Sequence, residues 1–321
     1  MRTVLVLIFI NVCFFAKAQY PPAAGQAGTT AIPYDSSCFI DWAVSCNVVR
    51  GYVNIADTGI YASSSNYASY GSDADAIGIA DNNVVSLGDG GVATLVFNTP
   101  ISDGPGFDFA VFENSITDTF LELAFVEVSS DGINYFRIPS VSLTDTLTQT
   151  NGFGDTDPTK IHNLAGKYRA FFGTPFNIAD IPDNPLLRKD SVVSVRIIDV
   201  VGSVNPNYAS RDSEGRIIND PFPTPFASCG FDLDAVGVIN NRNNTGINEY
   251  YSCLNVYPNP VSEILYLNTR DGEEVFVFSS NGFMIKKLYG SEKFINVSEL
   301  DNGFYFIKTS KGRFSKFIVS H

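Results

Sequence analysis

The feature that most constrains the fold is a repeated alternation of apolar and polar residues in short segments, separated by turns rich in Gly, Asp, Asn and Pro. Such segments include Val92 to Phe97, Leu121 to Ser129 and Val192 to Val201. A period of two places successive side chains on opposite faces of a strand. No segment sustains a helical period. The sequence therefore predicts an all-β protein, with a large antiparallel β-sandwich of jelly-roll type followed by a smaller β-domain.

Residues 1–18 have the features of a secretory signal peptide. Arg2 precedes an apolar run from Val4 to Phe15, and Ala16-Lys17-Ala18 forms a small-x-small cleavage site before Gln19. The apolar run is shorter than the roughly 20 residues that span a bilayer. We therefore expect cleavage between Ala18 and Gln19, and an exported chain without a transmembrane segment.

The charge distribution divides the remaining chain in two. Residues 19–245 contain 11 Lys and Arg against 26 Asp and Glu, whereas residues 246–321 contain eight of each. We predict an acidic sandwich over residues 19–240, a polar linker over 241–252 and a small domain over 253–321. The acidic excess argues against nucleic acid as a partner, because phosphate binding needs clustered cations.

Four cysteines remain after the signal peptide: Cys38, Cys46, Cys229 and Cys253. An even number in an exported chain predicts two disulfides. Three pairings are possible, and we favour Cys38 with Cys46 because the loop is short. Cys229 with Cys253 would then connect the large domain to the tail.

The C-terminal segment resembles the C-terminal sorting domain of type IX secretion cargo from Bacteroidetes. The resemblance covers about residues 253–321, beginning with Leu254 to Pro260 (LNVYPNP). It implies a small immunoglobulin-like sandwich, recognition by the type IX secretion machinery, and removal of the tail with release or attachment at the outer-membrane surface. Its signal residues here are Tyr257, Pro258, Asn259, Pro260, Gly282, Leu300, Gly303, Tyr305 and Lys316.

The large domain resembles a family of bacterial cell-surface β-sandwich proteins over about residues 20–240. The phrases that carry the resemblance include Gly104 to Asn114, Phe125 to Gly132 and Phe231 to Gly237. Some relatives are associated with cobalamin uptake at the outer membrane, which implies a ligand-capture role. No binding residue follows from that association.

Several carboxylates lie inside strand patterns that normally exclude charge. Glu122 and Glu127 fall on opposite faces of one predicted strand, so at least one of them points toward a core. Arg196 on another strand is the expected partner, because buried charges are usually paired. An ion in that place is the alternative.

Calcium is the cofactor that the acidic loops suggest. Asp212, Glu214 and Asp220 surround a glycine turn and supply the oxygen ligands that calcium prefers, although the spacing is not that of an EF-hand. The weaker candidates are Asp73, Asp75 and Asp81, and the pair Asp232 and Asp234 on one strand. Solvated acidic loops are the competing interpretation.

Aromatic residues suggest a second kind of site. Five of them lie in the loop-rich N-terminal part, where exposed rings can stack on sugars or a flat cofactor, although ordinary packing also explains them: Trp42, Tyr52, Tyr61, Tyr67 and Tyr70.

Catalytic patterns are weak. No G-x-S-x-G phrase accompanies His162, and abundant carboxylates make a glycosidase pair unspecific. The sequence favours a surface ligand-binding module, for a glycan or a cofactor such as cobalamin, over an enzyme. The alternatives are a carboxylate-dependent hydrolase acting on polysaccharide and a structural or adhesive surface protein.

Overall fold

A computed structural model describes residues 20–243, 254–269, 272–289 and 292–321. The predicted signal peptide with Ala18 and Gln19, most of the predicted linker, and Cys253 lie outside the described residues. The described chain is nearly all β, as predicted. Its helices are three short 3-10 turns, none of which is long enough to cross a membrane: η1 (Asp73–Ala76), η2 (Pro158–Lys160) and η3 (Ile178–Asp180).

Thirteen strands are described in the large domain: β1 (Ile32–Pro33), β2 (Asp41–Trp42), β3 (Ser45–Val49), β4 (Val85–Ser86), β5 (Val92–Ile101), β6 (Phe109–Glu113), β7 (Ala124–Ser129), β8 (Phe136–Arg137), β9 (Val141–Ser142), β10 (Ile161–His162), β11 (Phe172–Phe176), β12 (Val192–Asp199) and β13 (Asp232–Val238). Eleven of them form two antiparallel sheets. One has the order β1-β11-β6-β13-β2, with β4 also paired to β13, and the other has the order β3-β5-β12-β7-β8.

The chain crosses repeatedly between these two sheets. β2 and β3 lie in different sheets, as do β6 and β7, β11 and β12, and β12 and β13. This alternation between two antiparallel sheets is consistent with the predicted all-β sandwich. The remaining pair, β9 and β10, forms a separate two-stranded sheet.

Alternate residues of the two sheets meet in the main core. Leu95, Val126 and Val195 from one sheet and Phe109 and Val236 from the other are fully buried in one cluster. Each such side chain contributes about 1.5–3 kcal/mol on burial. The alternation of apolar and polar residues in the sequence therefore reflects sheets that each bury one face in a shared core.

A second apolar cluster covers the outer face of β7. It contains Leu121, Leu123 and Phe125, packed against Leu164 and Ile218 from loops. Long loops thus cover a sheet face that would otherwise be exposed. Because Leu121 and Leu123 share this cluster, Glu122 between them lies on the other side of the chain.

The C-terminal part forms a seven-stranded immunoglobulin-like sandwich, as the resemblance implied. Its strands are β14 (Val256–Tyr257), β15 (Ile264–Leu267), β16 (Val275–Ser279), β17 (Met284–Leu288), β18 (Phe294–Asn296), β19 (Gly303–Thr309) and β20 (Phe314–Val319). They form sheets of order β14-β15-β18 and β17-β16-β19-β20 around a separate core.

Among the described residues, hydrogen bonds join this small sandwich to the N-terminal lead-in of the large domain. The Gly28 N–H donates to the Tyr257 hydroxyl over 3.0 Å, and the Asn255 side-chain amide donates to the Ala31 carbonyl over 3.3 Å.

Candidate functional site

A cavity of about 170 Å³ opens at one end of the large sandwich. Three loops surround it, contributed by residues 114–120, 152–153 and 224–228. Glu122 and Asp232 line its buried part, and they are only 8% and 7% exposed. Loops at the end of a rigid sandwich are a common place for recognition, because the strands fix them in space.

Strand pairing brings a third carboxylate to the same place. Glu113 is the last residue of β6 and Asp232 is the first residue of β13, and these strands are antiparallel neighbours. The register pairs Leu233 with Glu113 and Asp232 with Ser86. The end of one strand therefore lies beside the start of the other, while Glu122 approaches from the segment before β7.

The three carboxylates have few protein donors. Asp232 accepts hydrogen bonds from the Ser86 hydroxyl and the Asn114 side chain, and Glu113 Oε2 accepts the Ser115 N–H over 2.8 Å. The other Glu113 oxygen is buried without a partner. No donor in the part of the chain that the structure describes contacts the Glu122 carboxylate. Buried polar atoms normally have partners, so Glu113 Oε1 is an exception.

Burial and mutual repulsion raise the pKa of all three groups. Desolvation raises the pKa of Glu122 and Glu113 well above the usual value, and the neighbouring Asp232 charge adds to both shifts. Burial raises the pKa of Asp232 to about 7, against the hydrogen bonds from Ser86 and Asn114. Burial therefore makes the charged form of each carboxyl costly unless a ligand supplies hydrogen-bond donors or positive charge.

Close backbone contacts fix the position of Glu122. Gly166 has a φ of +77°, and a Cβ there would lie 1.8 Å from the Glu122 carbonyl oxygen. On the other side, the Leu123 N–H donates to Asp220 over 2.9 Å. Only glycine allows this approach, so the backbone at Glu122 is held between two loops.

Hydrogen bonds also join the loops around the cavity. The Thr119 hydroxyl donates to Asp155 over 2.6 Å, and the Phe222 N–H donates to the Thr150 carbonyl over 3.0 Å. These bonds connect each loop to another rather than to solvent. The cavity is therefore largely formed before any ligand binds.

Aromatic rings form the exposed part of the cavity. The Phe153 and Phe226 centroids are 5.4 Å apart, and those of Phe120 and Phe153 are 6.2 Å apart. Phe153 is 72% exposed and Phe226 is 43% exposed. Large exposed rings beside buried acids are unusual on a protein surface and are typical of recognition sites.

Gly152 is expected to be necessary for the shape of this cavity. A Cβ at Gly152 would lie 2.5 Å from the Pro223 carbonyl oxygen, so Gly152→Ala should push two loops apart. We expect a loss of roughly 1–2 kcal/mol in the free energy of unfolding, typical of overpacking, measured by denaturant titration. Gly59→Ala is the control, since its nearest atom is a side-chain oxygen at 3.2 Å. Equal stability of the two variants would contradict this prediction.

The expected partnership between a strand carboxylate and Arg196 is confirmed for Glu127. Its carboxylate lies 2.9 Å from Arg137 and 3.6 Å from Arg196. Arg196 also lies over the Tyr135 ring, 3.4 Å from the centroid. Glu127 therefore has two cationic neighbours, whereas Glu122, on the opposite face, lines the cavity.

The residues predicted to bind calcium are not brought together. Asp212 and Glu214 both contact Arg216, at 2.8 and 2.9 Å. Asp220 instead accepts the Leu123 N–H on another segment. Among the described residues, no group of three acidic, His or Cys side chains has the arrangement of a metal site. Arg216 is therefore the cation beside Asp212 and Glu214, where the sequence had suggested a calcium ion.

The weaker acidic candidates fasten loops. Asp234 accepts the N–H groups of Asp81 and Asn82, at 3.1 and 3.2 Å. Asp75 accepts the Ser72 N–H over 2.7 Å. Carboxylates that accept backbone N–H groups are a common way of ordering turns.

The favoured disulfide between Cys38 and Cys46 is not formed, because the Cys46 thiol on β3 is free. Burial raises the pKa of the Cys46 thiol to about 12, which makes it a poor nucleophile. Cys229 is buried, and the suggested partner Cys253 lies outside the described residues, so that pairing stays a prediction.

The N-terminal aromatic residues do not form one surface. Tyr52 and Tyr67 stack with centroids 4.7 Å apart, whereas Trp42 packs on Phe39. The others, Tyr61 and Tyr70, are exposed. His162 stacks on Tyr20 with centroids 4.8 Å apart.

The predicted signal residues of the tail have structural roles in the small sandwich. The Asn259 side chain accepts the Ile318 N–H over 2.8 Å and thereby connects the YPNP segment to β20. Tyr305 is buried and stacks on Phe317, and Gly282 has a φ of +82° in the turn after β16. The rest are distributed over the same domain: Tyr257 on β14, Pro258, Pro260, Leu300 at the edge of the core, Gly303 at the start of β19, and Lys316 on β20.

A comparison with protein families decides what this small domain is. Residues 255–320 match the family model described as a secretion system C-terminal sorting domain. The tail is a type IX secretion sorting domain. The protein is accordingly exported by that system and is secreted or displayed at the cell surface, as the sequence predicted. The sorting domain implies contact with the type IX machinery.

No curated protein matches the chain. One similar solved structure is PorZ, an essential surface component of the type IX secretion system of Porphyromonas gingivalis, with 12% identity over 27% of this chain and 14% of that chain and a TM-score of 0.20. Another is a biofilm associated protein, BSP domain, with 11% identity over 71% of this chain and 48% of that chain and a TM-score of 0.17. Neither similarity carries an argument about this protein.

Sequence reasoning singled out Glu122 as one of two strand carboxylates but missed its neighbours. Glu113 ends the apolar strand FAVFE, where a carboxylate between buried residues was a usable signal. Asp232 was considered only with Asp234. No sequence pattern joins Phe120, Phe153 and Phe226, because they lie on three loops distant in the chain.

Proposed function

We propose that the large sandwich is a surface-displayed binding module for a glycan, and that the cavity containing Glu122 and Asp232 is its binding site. The observation that carries the proposal is the combination of two buried carboxyls, of which Glu122 has no donor among the described residues, with exposed aromatic rings in one cavity. Sugars combine hydroxyl groups, which bind carboxyls, with an apolar ring face, which stacks on aromatic side chains. Export to the cell surface supplies the setting for such a ligand.

The size of the cavity favours a sugar over cobalamin. Its volume of about 170 Å³ is below the roughly 300–1,000 Å³ of clefts that enclose drug-sized ligands. One sugar ring, as part of a longer glycan, is a suitable occupant. A corrin ring is much larger than this cavity.

A thermal-shift screen of the full chain against glycans, cobalamin and calcium tests the proposal. We expect a saturable rise in melting temperature with a glycan, because a ligand at 100 times its Kd stabilises the folded state by about 2.7 kcal/mol. Phe153→Ala should weaken binding several-fold, since stacking contributes on the order of 1 kcal/mol. Tyr61→Ala removes a comparably exposed ring outside the cavity and should leave binding unchanged. No shift with any glycan would refute the proposal.

The raised pKa values favour a hydrolase acting on polysaccharide as the second candidate. Asp232, with a pKa of about 7, is suited to donate a proton near neutral pH, and Glu122 is available as the other carboxyl of a pair. This function predicts release of sugar products by the purified protein. It also predicts that Glu122→Gln and Asp232→Asn each abolish release, by about 100-fold or more. A structural or adhesive protein would show neither binding of free glycans nor product release.

A further inference from the structure

The cavity lacks the positive charge that its carboxyls would normally have. Two other buried acids have firm partners: Asp199 accepts the N–H groups of Gly90 and Phe231, and Asp212 binds Arg216. Glu122 has no such partner among the described residues, although it is 92% buried, being 8% exposed. A carboxyl that lines a cavity without a protein donor is available to a ligand that provides donors or positive charge.

The cation that influences Asp232 is engaged by backbone carbonyl oxygens. Arg50 influences Asp232 electrostatically, but its guanidinium donates to the carbonyl oxygens of Tyr70 and Gly71, each over 2.7 Å, and also to that of Ser86. These contacts hold Arg50 against the backbone. The charge of the Glu113, Glu122 and Asp232 group is therefore left for a ligand to neutralise.

The free space lies where a ligand would meet these carboxyls. Glu122 and Asp232 line the cavity, whereas Glu113 does not line it but precedes Asn114 and Ser115, which do. Glu113 Oε1 is buried and has no partner. The volume of about 170 Å³ is far larger than a bare ion needs, and the described carboxylates do not have the arrangement of a metal site.

The aromatic rings beside the cavity add a second preference. A ring face attracts a cation within about 6 Å of its centroid, and it also stacks on the apolar face of a sugar. Phe153 and Phe226 are exposed and close to each other at the cavity entrance. The net charge of the large domain also attracts cationic ligands, because the domain carries 15 more acidic than basic residues.

We propose that the cavity binds a cationic sugar, with the ammonium group of an amino-sugar unit against Glu122 and Asp232 and the sugar ring against Phe153 or Phe226. The inference rests on the proposed glycan-binding function and narrows it to glycans that carry a free amine. Charge-assisted hydrogen bonds are about twice as strong as neutral ones, which gives the amine its advantage over a hydroxyl or an acetamide.

Two ligands that differ only at nitrogen test this inference. The full chain is titrated calorimetrically at near-neutral pH with a glucosamine tetramer and with its N-acetylated counterpart. We expect the free amine to bind at least tenfold more tightly. Glu122→Gln should remove that preference, and Glu127→Gln, which alters a carboxylate paired with Arg137 and Arg196, should retain it. Thermal unfolding of each variant confirms that it is folded.

The outcomes separate this inference from the proposed function. Equal or tighter binding of the acetylated tetramer overturns the cationic-sugar inference while glycan binding stands. Failure of both tetramers and of all other glycans overturns both. A trilysine peptide is the third arm, and binding as tight as that of the glucosamine tetramer overturns the sugar as the carrier of the ammonium group.

Discussion

Replacing Arg313 with alanine should lower the free energy of unfolding of the sorting domain by about 3–5 kcal/mol, the usual cost of leaving a buried charge without its partner. Arg313 and Glu273 are 3% and 2% exposed, and Arg313 Nε donates to Glu273 over 3.1 Å. Arg313 also donates to the Asn268 carbonyl over 2.9 Å. A domain of this size has roughly 3–10 kcal/mol of stability in total, so we expect Arg313→Ala to be largely unfolded.

Export provides the functional measurement for this variant. We expect Arg313→Ala to remain in the periplasm of the native host, as a deletion of residues 254–321 should, when surface and periplasmic fractions are compared. Lys311→Ala removes an exposed cation from the same hairpin and should be exported normally. If Arg313→Ala is unfolded in its tail and still reaches the surface, the folded sandwich is not what the machinery recognises.

Stability of the large domain should fall as pH rises from about 4 to above 7, and Glu122→Gln should reduce that fall. Unfolded carboxyls titrate near pH 4, while burial raises the pKa of Glu122, Glu113 and Asp232 in the folded state. The folded protein therefore binds more protons across this window, so raising the pH favours unfolding. The glutamine variant should match the wild type near pH 4 and exceed its stability near pH 8 by about 1–3 kcal/mol.

Comparison of variants isolates this effect from the other titrating groups. Burial also raises the pKa of Asp199 and Asp220, and it lowers the pKa of Lys167 to about 7, but these contributions are shared by all variants. Glu127→Gln is the control, because it removes ion pairs with Arg137 and Arg196 and should not gain stability at high pH. Denaturant titrations across the pH range give the required differences. If the free energy of unfolding changes with pH in the same way for Glu122→Gln and the wild type, the pKa of Glu122 is not raised by folding.

Local sequence pattern predicted the fold because both sandwiches are made from alternating strands. The segment Val192 to Val201 reads as a strand, and β12 occupies Val192–Asp199 at the centre of its sheet. The sorting domain was equally predictable from the sequence, because its signal residues follow one another within a single short domain. In both cases, the information lies in neighbouring residues.

The candidate site was only partly predictable, because its parts come from distant segments. Asp232 and Glu113 become neighbours through the pairing of β6 with β13, which no local pattern specifies. The calcium prediction considered the acidic residues of this loop alone, whereas Arg216 contacts both Asp212 and Glu214. The disulfide prediction relied on the short loop between Cys38 and Cys46, whereas Cys46 is on β3 beside β5 and packs against the main core.

The buried aspartates that hold loops in place reduce the negative charge that the folded protein presents to its surroundings. Asp108, Asp199 and Asp234 are buried and accept backbone N–H groups, and burial raises the pKa of each. Each of these groups counts as one negative charge in the sequence, but a raised pKa leaves it partly protonated and therefore less charged in the folded protein. The isoelectric point of the folded protein should therefore lie above the 4.5 given by composition. An anionic cell envelope would repel this protein less than its sequence suggests.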